Sequence, residues 1–180
     1  MDTLRNRLRE ATASQHERVD AAFSAYRLDQ PAGYRAFLQA HAQVLFPLEI
    51  ELEQAGIEKM LEDWPKRSRR QALLDDLQAL GGSEPAAAQP GAAPSSGWCW
   101  GAAYVIEGSR LGGRVLARRV AEAIPSAPLR YLDHSSTSPL WPSFLQKLEQ
   151  QGSACIWSDV LNGAHATFER FLDAARSYRP

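Results

Sequence analysis

Cysteine is scarce in this chain. There are two, Cys99 and Cys155, and no Cys-x-x-Cys spacing. A disulfide framework is therefore not implied, a reducing compartment is the simpler setting, and each cysteine reads as a small core residue. Long apolar runs are missing too. Nothing approaches the ~18 apolar residues of a membrane span, and Met1 to Glu10 is Arg-rich without the apolar stretch of a signal peptide. Neither sign of charge dominates: 20 Lys and Arg against 21 Asp and Glu leave a formal charge of −1. That balance gives no electrostatic argument for nucleic acid or an anionic membrane. The expectation is a cytoplasmic protein with no nucleic-acid partner and no membrane partner. Period-2 runs of β-branched residues are absent, which argues against strands, and no repeat of about 20–50 residues is visible.

Helical periodicity is what remains. Leu4, Leu8, Ala11, Thr12, His16, Val19, Phe23 and Tyr26 recur at helical spacing and predict a first helix from Asp2 to Tyr26, with Asp2 or Thr3 as N-cap. A second helix is predicted from Tyr34 to Leu52, with a kink or break near Pro47 and an end at Ala55-Gly56. Shorter helices follow at Ile57–Trp64, stopped by Pro65, and at Ser68–Leu80, ended by Gly81-Gly82. Residues 83–97, SEPAAAQPGAAPSSG, carry three prolines and no large apolar side chain, the composition of a flexible Pro/Ala-rich loop. The ~80 residues on either side would each make a poor core alone, so residues 1–180 are expected to form a single domain. Further helices are predicted at Trp98–Ile124, Pro139–Gln151 and Ser153–Ser177, with a loop at Tyr131–Ser138. The fold class is all-α, a bundle of six to eight helices.

Two features could carry chemistry. Within Trp98–Ile124, glycine occupies positions 108, 112 and 113, at roughly 3 kcal/mol in total relative to alanine. Gly101, Gly108 and Gly112 share one face with Tyr104. That bare strip suits a flat ligand lying against the backbone, or a bend, or a second helix packed closely. His16 is the other feature. On the inner stripe of the first helix it is either a core histidine or a ligand. His41, His134 and His165 read as structural. No histidine has a carboxylate three residues before it, so a di-iron bundle site is excluded. Ser109 lies in no Gly-x-Ser-x-Gly elbow, and Gly108–Gly113 is not a phosphate loop. Glu49, Glu51 and Glu53 read as a solvated border. Arg5, Arg7 and Arg18 read as exposed. Arg9, two turns before His16, is placed to reach a carboxylate on a ligand that His16 holds.

Two segments together resemble a known family. LREATASQH from Leu8 to His16, followed by Val19 and Asp20, resembles the proximal helix of haem (heme) oxygenases. YVIEGSRLGG from Tyr104 to Gly113 resembles their glycine-rich distal helix in its bacterial form. The resemblance implies a haem-oxygenase-like fold with haem between the first helix and the glycine-rich helix. His16 would be the axial iron ligand. Gly108, Gly112 and Gly113 would line the distal side, and Arg9 and Tyr104 would hold propionates. Gly108, Ser109 and Gly112 would flank the reacting atoms. Ser109 stands where animal members carry an aspartate that organises a proton-delivering water. The implied activity is O2-dependent cleavage of haem to biliverdin, carbon monoxide and iron, with haem as both substrate and cofactor. The implied partners are an electron donor, such as ferredoxin or a flavin reductase, and a biliverdin-accepting phytochrome. The alternative is a haem-binding or haem-carrying protein of the same fold without turnover, or a helical module whose glycines only pack helices.

Overall fold

The computed structural model describes residues 3–86, 92–133 and 139–178. It is all-helical, with no strand among these residues. His134 and parts of the two expected loops, 87–91 and 134–138, lie outside them. Among the described residues ten α-helices run in order: α1 Leu4–Ala11, α2 Ala13–Phe23, α3 Pro31–Gln54, α4 Ile57–Met60, α5 Trp64–Arg67, α6 Arg70–Ala79, α7 Ser96–Gly108, α8 Arg110–Ala123, α9 Leu140–Gln151 and α10 Trp157–Ser177. A 3-10 turn, Gly152–Ala154, joins the last two.

The segment count exceeds the expected six to eight because two long predicted helices are broken and the short one predicted at Ile57–Trp64 appears as two, α4 and α5. The first breaks at Thr12. Its backbone N–H and its Oγ1 both donate to the Leu8 carbonyl, at 2.9 and 2.7 Å. Such back-bonding by threonine bends a helix. Thr3 is the N-cap, accepting from Asn6 N–H at 3.2 Å. The carboxylate of Glu149 on α9 accepts from the Leu4 and Arg5 N–H groups at the same end. By contrast, α3 runs unbroken through Pro47. Pro65 does not stop a helix; it sits in the first turn of α5, where its missing N–H costs nothing. Gly56 and Gly81 take positive φ just past α3 and α6, the position where helices commonly end on glycine.

The centre of the fold is the contact between α7 and α10, closer than side chains would allow. A Cβ on Gly101 would lie 1.8 Å from the Val160 carbonyl oxygen, and one on Gly163 would lie 2.0 Å from the Trp98 carbonyl oxygen. Gly101 therefore does not belong to a ligand-facing strip with Gly108 and Gly112; at its level the same face of α7 meets α10. Gly101→Ala is expected to cost about 3 kcal/mol by overpacking, a fall in Tm of about 6–12 °C for a chain of this size. Thermal unfolding followed by circular dichroism measures it, and an unchanged Tm would contradict the close contact. Trp100, Cys99, Ala102 and Ala103 complete the buried side of α7, and burial pushes the Cys99 thiol up to about 11.

Glu49 is not a solvated border residue. It is 1% exposed, and its carboxylate accepts from Arg69 N–H at 2.8 Å, Ser68 Oγ–H at 2.5 Å and Arg70 N–H at 3.2 Å. It thereby satisfies the donors at the start of α6, where a negative charge also meets the positive end of the helix. Glu51 and Glu53 lie nearer the surface and pair with Arg170 and Arg70.

Candidate functional site

A cavity of about 710 Å³ opens among α1, α2, α3, the α7–α8 junction and α10. Its volume falls within the ~300–1,000 Å³ of small-molecule sites. Phe23, Phe37, Leu116, Trp141, Phe168 and Phe171 give it apolar walls. His16, Arg9, Tyr104, Gly108, Ser109, Gly112 and Gly113 all line it as well. Of the residues singled out by sequence, these seven meet on one surface, while Gly101 packs against α10 instead.

His16 corrects one expectation. Its side chain is 63% exposed and lines the cavity rather than being buried in the core. Beyond the break at Thr12, Val19 and Phe23 still pack against the core while His16 borders the cavity, and Ala22 is the one buried residue of α2. His16 Nδ1 lies 3.2 Å from Asp20 Oδ2 one turn on, and its ring meets Phe168 edge-on at 6.1 Å. A proton on Nδ1 shared with the carboxylate leaves Nε2 with a free lone pair, the state a metal ligand needs. Asp20 is one turn on from His16, and i,i+4 spacing is what brings the two side chains together.

The glycine-rich segment breaks into α7 and α8 at Ser109, which keeps helical angles, φ −61° and ψ −20°. Positive φ among the described residues is confined to Gly56 and Gly81. The site glycines therefore contribute space and not unusual backbone angles. A Cβ on Gly112 would meet nothing within 4 Å, and one on Gly108 would meet only the Trp141 ring, at 3.6 Å.

Behind this break lies a buried charge cluster. Glu107, 1% exposed, pairs with Arg67 at 2.6 Å and with Arg110 at 2.8 Å. Arg67 also holds Asp63, the Leu140 carbonyl and Ser143 Oγ, while Arg110 donates to the Arg67 carbonyl. Buried pairs of this kind add little net stability but fix geometry. They lock the ends of α7 and α8 to α5 and α9.

Arg5, His41 and Arg69 are among the lining residues that sequence did not mark as functional. Arg5 shares the cavity edge with Arg9. Burial pushes the Tyr104 hydroxyl up, while the charges of Arg5 and Arg9 oppose that shift. His41 lies among Phe37, Phe23 and Phe171, ring centroids 4.1, 4.5 and 5.5 Å away. Burial lowers its pKa to about 4, so it is neutral at pH 7 and its Nδ1–H donates to the Phe37 carbonyl at 2.9 Å. Arg69 reaches the cavity from the start of α6.

The fold and site define a helical protein with a large, mostly apolar cavity that carries an exposed imidazole and arginines on its lining, the character of a small-molecule site. No family model matches the chain. It is 37% identical over 142 residues to a heme oxygenase of Xanthomonas campestris pv. campestris (strain 8004), across 77% of this chain and 86% of that one. The chain belongs to the heme oxygenase family. Its fold is that of solved heme oxygenases. The Neisseria meningitidis protein, solved in NO- and CO-bound forms, superimposes with a TM-score of 0.84 at 20% identity, covering 99% of this chain and 92% of that one. The Leptospira interrogans protein gives 0.73 at 20% identity over 94% and 97%. Heme oxygenase 2 of Chlamydomonas reinhardtii, solved without heme, gives 0.75 at 16% identity over 99% of each chain.

Proposed function

We propose that residues 1–180 act as one haem-oxygenase-like helical domain that binds haem in this cavity and opens its ring, using O2 and an external electron donor, to give biliverdin, carbon monoxide and ferrous iron. The observation that carries the proposal is the meeting of His16 and the Gly108–Gly113 segment on one cavity, in a chain of this family. The residues suit the group. The apolar walls accept a porphyrin face, an imidazole stands ready as an axial ligand, and Arg5 and Arg9 at the edge match two carboxylates.

In this reading His16 Nε2 binds the iron, and Asp20 fixes the ring by holding Nδ1. Arg9, Arg5 and Tyr104 hold the propionates. Bound haem supplies the redox chemistry and is itself the molecule that is cut. The chain's own part is orientation and exclusion. Gly108, Gly112 and Gly113 leave the distal side without side chains, so a small molecule bound there lies against helix backbone. Ser109 offers a polar group at the same place. The aromatic wall of Phe23, Phe37 and Phe171 keeps bulk water from the inner part of the cavity. Ferredoxin or a flavin reductase is the class of electron donor proposed, and a phytochrome apoprotein is a fitting acceptor of the product. Among the described residues no helix is long and apolar enough to cross a membrane, and we place the activity in the cytoplasm.

Adding haemin is expected to shift the Soret band and give a defined complex. Ascorbate, or ferredoxin with its reductase, should then bleach that band in air while biliverdin absorption grows. A stable Soret band with no biliverdin would leave a haem carrier. No Soret shift at all would remove both readings.

A further inference from the structure

We infer that Arg69 is a positioning residue for this reaction, acting through Ser109 on the distal side of the cavity; the inference rests on the haem oxygenase reading. Arg69 is 40 residues before Ser109 and comes from a different helix. Its backbone N–H is tied to buried Glu49 at 2.8 Å, its guanidinium lies over the Tyr131 ring at 5.3 Å, and it is 5% exposed. From there Nη2 donates to the Ile106 carbonyl at 2.5 Å and to Ser109 Oγ at 2.9 Å. In an uninterrupted helix the Ile106 carbonyl would serve the N–H four residues on. Here it also accepts from Ser109 Oγ–H at 2.7 Å. Two donors from outside the backbone ladder thus converge on the carbonyl where α7 gives way to α8.

The consequence for Ser109 is specific. A hydroxyl has one hydrogen and two lone pairs. The hydrogen is committed to Ile106, and one lone pair faces Arg69. One lone pair remains, so Ser109 meets the cavity as an acceptor only. A water donating to it keeps its second hydrogen for the cavity interior. The serine thus orients a proton donor without being one, and Arg69 holds it in that state. The guanidinium also brings a fixed positive charge to the cavity lining.

The test uses the haemin complexes of the full chain with Arg69→Met, Ser109→Ala and both together. Arg69→Met is expected to lower turnover about tenfold or more, the scale of losing one oriented group, with the haemin Kd within about threefold of wild type. Its ferrous carbonyl complex should show a C–O stretch at higher frequency, because a positive charge near the bound oxygen lowers that frequency. Ser109→Ala should lose about threefold or more in turnover, and the double variant little more than Arg69→Met alone, as for two residues acting as a unit. Additive losses, or a carbonyl frequency and turnover unchanged by Arg69→Met, overturn the inference while leaving a wild-type enzyme that still makes biliverdin. A wild-type chain that makes none overturns the reading beneath it. If Arg69→Met does not fold, Arg69→Lys and Ser109→Ala carry the test. The lysine variant should recover part of the frequency and part of the turnover, and wild-type values for Ser109→Ala would refute the role.

Discussion

His16→Ala is expected to reduce biliverdin formation by more than the ~10–100-fold that removing an outer-shell partner of a metal ligand costs. The protein itself should survive the change. His16 is largely exposed, and the contacts it makes are Asp20 at 3.2 Å and the edge of Phe168 at 6.1 Å. Surface substitutions without buried partners stay within about ±0.5 kcal/mol, so the Tm should move by no more than about 2 °C. The separation of the two effects gives the test its force. Ferric optical and electron paramagnetic resonance spectra should report a changed axial environment in a normally folded chain, and added imidazole should restore part of the wild-type spectrum. Identical spectra for wild type and His16→Ala would remove His16 as the ligand. Asp20→Ala should act in the same direction with a smaller loss, about tenfold, because it frees the ring without deleting it.

Gly112→Leu is expected to impair the same reaction from the other helix. A Cβ at Gly112 meets no atom within 4 Å, so the backbone accepts the side chain. Replacing glycine within a helix even favours folding by about 0.5–1 kcal/mol. What suffers is the cavity. Three added carbons beyond Cβ would occupy space proposed for haem and its distal guest. Overpacking of that kind costs ~1–3 kcal/mol, or a fall of about 5- to 150-fold in haemin affinity or turnover. Haemin titration, single-turnover product analysis and thermal unfolding would be measured on one preparation. A loss of stability together with activity would mean that Gly112 packs a helix. Full activity with leucine in place would mean that the cavity is not the reaction site. Gly101→Ala is the matched opposite, since stability is what it should lose.

Most of the candidate site was legible because its parts are local. His16 and the 104–113 segment can be found by reading along one helix, and the helices follow apolar spacing that survives any tertiary context. The misreadings arise where a side chain reports to a partner distant in the chain. Glu49 looked like part of an acidic edge with Glu51 and Glu53; only the arrival of α6 makes it a buried cap. Arg69 sits in the basic run Arg67 to Arg70, where nothing in the sequence sets it apart from its neighbours. Its bond to Ser109 spans 40 residues. The breaks at Thr12 and Ser109 were hidden for a different reason. Threonine and serine are tolerated within helices, and whether the hydroxyl turns back onto a carbonyl depends on what holds the chain on either side. Spacing put His16 on the inward stripe of its helix, but could not say that its side chain lines an open cavity instead of packing in the core.

The paired glycines of α7 and α10 set a limit on how this chain can change over generations. Each is held to glycine by a peptide carbonyl on the other helix, Val160 for Gly101 and Trp98 for Gly163. A carbonyl is present whatever residue carries it. No replacement at position 160 or 98 can make room, so neither glycine has a compensating partner through which it could drift. Side chains lining the cavity have no such restraint, because each can be traded against its neighbours' volume. Divergence is thereby steered away from the spine of the molecule and toward the pocket, where substitutions alter how a guest is held before they endanger the fold.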